Sequence, residues 1–220
     1  RIGEFDSSFN LDGTFDAIQL AAESRFTPGR VLMEGTVANL LQDPDFDLAL
    51  AVDQARLADA AALLFPGLRW PAHLDDQVLA NLRLDGQAHA YRLLGHVDAL
   101  SGRLELDGRI EGDSLENASG ARRFVGGMAV RHQNLSALAT TLMPRLDPPT
   151  RHSGPVELLG TLTMDAQSLR LDDADLRSGP VSMVGRLLWD LDGRRISGEI
   201  TAGDVDLDPL VPPSGSGATI

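Results

Sequence analysis

The feature that most narrows the fold is strict alternation of apolar and polar residues, the mark of strands with one apolar and one wet face. Between Arg103 and Glu111, Leu104, Leu106 and Ile110 point one way, while Arg103, Glu105, Asp107, Arg109 and Glu111 point the other. Phe46, Leu48, Leu50 and Val52 alternate in the same manner with Asp45, Asp47, Ala49 and Ala51. So do Val181, Met183, Leu187, Trp189 and Leu191 with Ser182, Arg186 and Asp190. Sheets wet on one side favour antiparallel pairing, because parallel sheets are covered on both faces. Leu-Asp-Gly recurs at Leu11, Leu84, Leu106 and Leu191. Asp-Gly supplies the positive φ of a type I′ hairpin, and a glycine in phase with the apolar face equally marks a bulge or bend. Helical spacing is confined to Asp53 to Phe65 and Asn134 to Met143, stopped by Pro66 and Pro144.

Laid against itself at a period of roughly 75 residues, the chain shows an internal repeat, read as repeat architectures are. The pattern G-x-[VL]-x-[ML]-x-G occurs at Gly29 to Gly35, Gly102 to Gly108 and Gly179 to Gly185. Each copy leads to further strand pattern and then to a Leu-centred ending closed by proline, at Ala55 to Pro66, Asn134 to Pro144 and Asp204 to Pro212. The middle copy is lengthened around Gly112 to Gly120. The repeats span approximately 1–70, 71–148 and 149–213 of one elongated region, with 213–220 linker-like. Roughly four to five strands per unit predict about 14 strands, some 65 Å of sheet at about 4.8 Å per strand. Open twisted sheets rarely exceed about 10 strands without curling, splitting or closing, so this one is expected to fold over on itself or to be a curved solenoid, its apolar face lining a trough.

Composition removes other classes. With 32 acidic and 19 basic residues the net charge is −13, which repels a phosphate backbone, and no nucleic-acid partner is expected. The absence of Cys rules out disulfides and thiolate metal sites. No apolar run reaches the roughly 18 residues of a membrane-spanning helix. The apolar fraction is 43% but aromatics are only 5%, so Leu, Val, Met and Ala carry the interior, a smooth surface suited to acyl chains. The chain opens at Arg1 without Met and stops at Ile220 after Pro-Pro-Ser-Gly-Ser-Gly, and so reads as an interior piece of a longer protein.

Motifs with catalytic associations lack their partners. Gly112 to Leu115 spells GDSL, a serine-esterase sequence, yet no helix pattern follows it and no later Asp-x-x-His supplies an acid and base. His73, His89, His96, His132 and His152 are scattered without ligand spacing. The acidic groups Asp172, Asp173 and Asp175, and Asp204, Asp206 and Asp208, lack the glycine and glutamate of a calcium loop. No enzyme activity, metal or cofactor is expected.

The segments GRVLMEGTVANLLQDPDFDLALAVDQARLADAAALL (Gly29 to Leu64) and GPVSMVGRLLWDLDGRRISGEITAGDVDLDPLVP (Gly179 to Pro212) resemble the AsmA-like family of bacterial envelope proteins, of the TamB and YhdP type. The likeness lies in a glycine-bounded strand, a turn, a strand alternating Asp and Leu, and an Asp/Leu ending, recurring across nearly the whole chain. It implies an all-β, repeat-built antiparallel β-groove, a taco-like curled sheet with short helices or loops between repeats. It further implies a periplasmic segment of an inner-membrane-anchored protein that shields phospholipid acyl chains for inter-membrane lipid transport and outer-membrane maintenance. Neighbouring repeats and the two membranes would be its other partners. The residues expected to line the groove are Val31, Met33, Val37, Phe46, Leu48, Leu50, Leu104, Leu106, Ile110, Leu162, Met164, Val181, Met183, Leu187, Trp189, Ile196 and Ile200. The alternatives are a closed-core β-sandwich or β-solenoid adhesin, and a β-solenoid carbohydrate enzyme, which the low aromatic content disfavours.

Overall fold

A computed structural model describes residues 5–26, 29–41, 43–56, 76–112, 122–142, 154–179, 181–191 and 195–203. They form one 12-stranded sheet in which every strand pairs with its sequence neighbours. The strands are β1 (Phe5–Gly13), β2 (Ala17–Phe26), β3 (Gly29–Ala38), β4 (Asp45–Arg56), β5 (Gln77–Gln87) and β6 (Ala90–Ala99), followed by β7 (Gly102–Glu111), β8 (Arg123–His132), β9 (Val156–Met164), β10 (Ser168–Ser178), β11 (Val181–Asp190) and β12 (Arg195–Ala202). All eleven pairings are antiparallel. The all-β architecture follows the alternation. The described residues hold 12 strands where about 14 were expected.

The repeat has a period of four strands. Its motif opens β3 and β7 and, at Gly179, precedes β11. One rim of the sheet carries the connections after β1, β3, β5, β7, β9 and β11; the other carries those after the even strands. At this second rim short connections (27–28, 100–101, 179–180) alternate with long ones (57–76, 133–155). We call it the loop rim. The third motif copy is displaced along its strand, because Gly35 and Gly108 lie in the row of Leu48 and Leu93 whereas Gly185 lies one row nearer the loop rim, opposite Ala174.

The Asp-Gly pairs at Gly86 and Gly108 are not turns. Both glycines lie inside strands, β5 and β7; among the described residues Gly13 stands at a strand end before a tight hairpin, where Thr14 and Ala17 exchange backbone hydrogen bonds of 2.9 and 3.2 Å, and Gly193 lies outside the described residues. The turn between β6 and β7 instead uses Leu100 and Ser101, with φ of 53° and 61°, and contains no glycine. The side chains around it hold it: the Leu100 N–H donates to Asp76 Oδ2 at 3.1 Å and His132 Nε2 meets the Leu100 carbonyl at 2.8 Å.

The helix expected from Asp53 does not begin there. Asp53–Arg56 continue β4 across a bulge at Gln54 (φ 55°), and 57–65 lie outside the described residues. The second helix is present as α1 (Leu135–Leu142), capped by Asn134, whose Oδ1 accepts the Ala137 N–H at 2.9 Å.

Mid-strand glycines on the apolar face take backbone conformations and close strand approaches that other residues resist. Gly35 and Gly95 have φ of 152° and 154°, open to glycine and rarely to other residues. A Cβ on Gly95 would collide with the Asn81 carbonyl oxygen and lie 2.8 Å from Leu82 Cα. Replacing Gly95 with Val is therefore expected to destabilise the fold by on the order of 3 kcal/mol, seen as a lower urea midpoint. A conservative change on the wet face of the same strand, His96→Gln, is expected to leave that midpoint nearly unchanged.

Candidate functional site

Strand register builds one continuous apolar face. Following direct partners from β1 to β12 gives Leu11, Leu20, Gly35, Leu48, Leu84, Leu93, Gly108, Gly126, Leu162, Leu171, Leu187 and Gly198, a row of leucine and glycine alone. A second row, nearer the loop rim, runs Ser7, Ser24, Val31, Val52, Ala80, Val97, Leu104, Val130, Leu158, Leu176, Met183 and Ala202. At about 4.8 Å per strand each row is roughly 50 Å long. Two bulges, at Gln54 in β4 and Asp173 in β10, shift the sequence parity; Ala55 and Ala174 thereby stay on the apolar face.

All seventeen residues expected to line the trough lie on this face, and they differ in exposure. Ile110 and Leu162 are buried within a packed cluster with Val52, Val78, Leu82, Leu93 and Phe124, and Leu50, Phe46, Leu106, Val31 and Met164 pack against it. Phe46 meets Tyr91 edge-on, with ring centroids 5.4 Å apart. Met33, Val37, Leu48, Leu104, Val181, Met183, Leu187 and Trp189 are half-buried. Ile196 and Ile200 are 52% and 57% exposed. The face is thus packed at its centre and open at its ends, where Phe9 (68%) and Leu11 (63%) on β1 mirror the two isoleucines on β12.

Sequence reading missed β5 and β6, although Val78, Ala80, Leu82 and Leu84 alternate as cleanly as any segment. Tyr91 and Leu93 follow in the same phase, and these strands supply much of the packed centre.

The opposite face is a lattice of arginine and carboxylate. Arg83 grips Asp47 (2.9 and 2.6 Å), Arg92 grips Asp107 (2.9 Å), and Arg103 grips Asp98 (2.7 and 2.9 Å). Arg131 bridges Glu105 and Glu157 on its two flanking strands at 2.7 and 3.0 Å. Asp172 and Asp175 are held by Arg170 and Arg177, and among the described residues no group of three or more ligating side chains could hold a metal ion. Asp204, Asp206 and Asp208, His73, His152 and the Asp113 to Leu115 part of GDSL lie outside the described residues.

At the loop rim an open depression of about 1120 Å³ is lined by Asp76, Asp98, Arg103, Arg131, His132 and Glu157 among others. His132 is a structural staple there. Its Nδ1 accepts the Asn134 N–H at 3.0 Å and its Nε2–H donates to the Leu100 carbonyl, tying the start of α1 to the β6–β7 turn. His96 lies on the wet face, 3.5 Å from Asn81 Nδ2.

No helix among the described residues is long and apolar enough to cross a membrane. Comparison with protein-family models, curated proteins and solved structures finds no match to this chain.

Two outcomes follow. His132→Ala strips partners from a carbonyl and an N–H at the rim and is expected to cost about 1–3 kcal/mol of unfolding free energy, measured by urea titration. Hydrogen bonds from Arg25, Arg83 and Arg103 hold the carboxyls of Glu23, Asp47 and Asp98 below their ordinary range. A lowered folded-state pKa contributes stability above the unfolded value, near 4, and loses it as pH falls through the folded value. The urea midpoint should therefore hold from pH 7 to about pH 5 and fall below about pH 4. Because these pairs are exposed, added salt should reduce the size of that fall.

Proposed function

We propose that this chain is a non-enzymatic lipid-binding segment whose apolar face shields phospholipid acyl chains in transit between membranes, as a periplasmic part of an AsmA-like, inner-membrane-anchored envelope protein. The observation that carries the reading is the row of leucine and glycine running unbroken across twelve strands and opening to solvent at both ends. Acyl chains need apolar area and no polar partner, and each buried methylene contributes about 0.8 kcal/mol. A lipid leaving a bilayer gives up the same contacts, so the face has only to match the bilayer for transfer to be nearly balanced. A groove of this kind works by area alone. Single apolar replacements along it should matter little.

The packed centre between β4 and β9 favours a second reading, a dry-cored interaction module that presents its charged face to a protein or glycan. The two separate in one experiment. Protein isolated without detergent from a bacterial envelope fraction is examined by native mass spectrometry with lipid extraction. Co-purified phospholipid at defined stoichiometry is the expected result. Met183→Asp, which places an ion on the half-buried face near β12, should abolish it with the circular dichroism spectrum unchanged. Leu106→Asp should also abolish it and in addition lower stability, since Leu106 packs against the buried cluster. A lipid-free mass from folded protein would replace the lipid reading with the interaction module.

A further inference from the structure

The end strands β1 and β12 have one neighbour each among the described residues. The backbone phase of both ends can be read from the bonds beside them. Thr14 and Ala17 exchange hydrogen bonds, so the even residues of β1 face β2, and Phe9, Leu11 and Gly13 turn their N–H and C=O outward. The Gly203 N–H donates to the Ser182 carbonyl at 2.8 Å, so the odd residues of β12 face β11, and Ile196, Gly198 and Ile200 turn outward. At both ends the outward-facing residues are those of the apolar face. An even number of antiparallel strands makes this so: β12 of one copy and β1 of the next run in opposite directions, and their apolar faces coincide once the ladder bonds form.

We infer that this chain assembles head to tail, β12 of one molecule pairing antiparallel with β1 of a second copy, in the register Ile196–Gly13, Gly198–Leu11, Ile200–Phe9 and Ala202–Ser7. Within the sheet several glycines of the apolar face stand between large residues, whereas Gly108 and Gly126 face each other and Gly185 faces Ala174. Gly35 lies between Leu20 and Leu48, Gly86 between Phe46 and Tyr91, and Gly95 between Leu82 and Leu106. Backbone from the adjacent strand fills the space where each missing side chain would be, and the large neighbour covers it. Gly198 has Leu187 on one side and no partner among the described residues on the other; in the stated register Leu11 of the next copy takes that position. Gly13 has Ile18 on one side and receives Ile196 on the other.

The wet face agrees. The outer side chains of β1 include Asp6 and Asp12 and no base, whereas β12 opens with Arg195. The register sets Arg195 diagonal to Asp12, the relation in which Arg83 holds Asp47 and Arg92 holds Asp107 within the sheet. Pairing β1 with β1 about Phe9 would set Asp6 directly opposite Asp12, a like-charge pair. A β12–β12 pair would leave the exposed Phe9 and Leu11 of both copies uncovered. The contact is heterologous, so each addition presents a fresh β12 end, and assembly runs beyond the dimer.

The absence of cysteine makes the register testable by disulfide trapping. Asp12 and Ser197 fall opposite each other at a non-hydrogen-bonded position, where Cα atoms are about 4.5 Å apart, within disulfide reach. The 220-residue chain carrying Asp12→Cys and Ser197→Cys should give, on mild oxidation, a reducible ladder of dimers, trimers and longer species. The offset pair Ser8→Cys with Ser197→Cys should not. Ile200→Pro removes an outward N–H and leaves the bonds to β11 in place, so it should return the cysteine-free chain to a monomer in sedimentation velocity with its circular dichroism retained. Three results would overturn the inference: a wild-type chain that sediments as a monomer at every concentration, an offset pair that traps as well as the matched one, or a disulfide confined to single chains. None of these readouts involves lipid, so they stand or fall apart from the transport reading.

Discussion

Parity governs this molecule. In a strand, alternate side chains go to opposite faces, so a pairing slip of a single residue would carry a strand's leucines from the apolar to the wet side. Twelve strands in sequence leave eleven opportunities for that error. The two bulges show how closely parity is kept, since Gln54 and Asp173 each add one residue, and the sequence changes phase at the same point, from Val52 to Ala55 and from Leu171 to Ala174. The wet face enforces the same register from the other side, because Arg131 can bridge Glu105 and Glu157 only when β7, β8 and β9 are aligned as they are. Each of these exposed ion pairs contributes little to stability, and their value lies in selecting one alignment over its neighbours.

Alternation made several strands legible, although β5 and β6, which alternate as cleanly, were missed. The segment read as Arg103 to Glu111 is β7, Gly102–Glu111, and the helix expected over Asn134 to Met143 is α1, Leu135–Leu142. Reading failed where local chemistry was overruled by pairing. The Ala-rich run from Asp53 has helical spacing, yet Asp53 and Ala55 pair with Leu79 and Val78, and these ladder contacts outweigh a weak intrinsic preference. Asp-Gly at Gly86 and Gly108 has the chemistry of a turn, and the strands run through it; a Cβ on Gly108 would lie 2.6 Å from Gly126 Cα, a close strand approach that also requires glycine. The converse holds at Leu100 and Ser101, where the turn conformation is imposed by Asp76 and His132, residues distant in sequence and invisible to a local rule.

The apolar face was legible in part. Its seventeen expected residues share a face because one rule, alternation, assigns them all to it. Their division into a packed centre and open ends was not legible, since burial of Ile110 and Leu162 depends on how strands remote in sequence bend toward each other. The four-strand period likewise emerges only once connections are assigned to rims; in the sequence it is a motif spacing with unequal insertions.

A row containing only leucine and glycine carries no landmark. Antiparallel strands alternate their dipoles, so the backbone adds no net field along the row. Under the lipid reading proposed above, it would offer a hydrocarbon the same residue types read from β1 toward β12 or the reverse, and so would be symmetric to traffic: it would lower the cost of displacement with no means of ratcheting it. On that reading, any sense of direction would have to be set where the row stops, by what stands at the two terminal strands and by a difference in chemical potential between them.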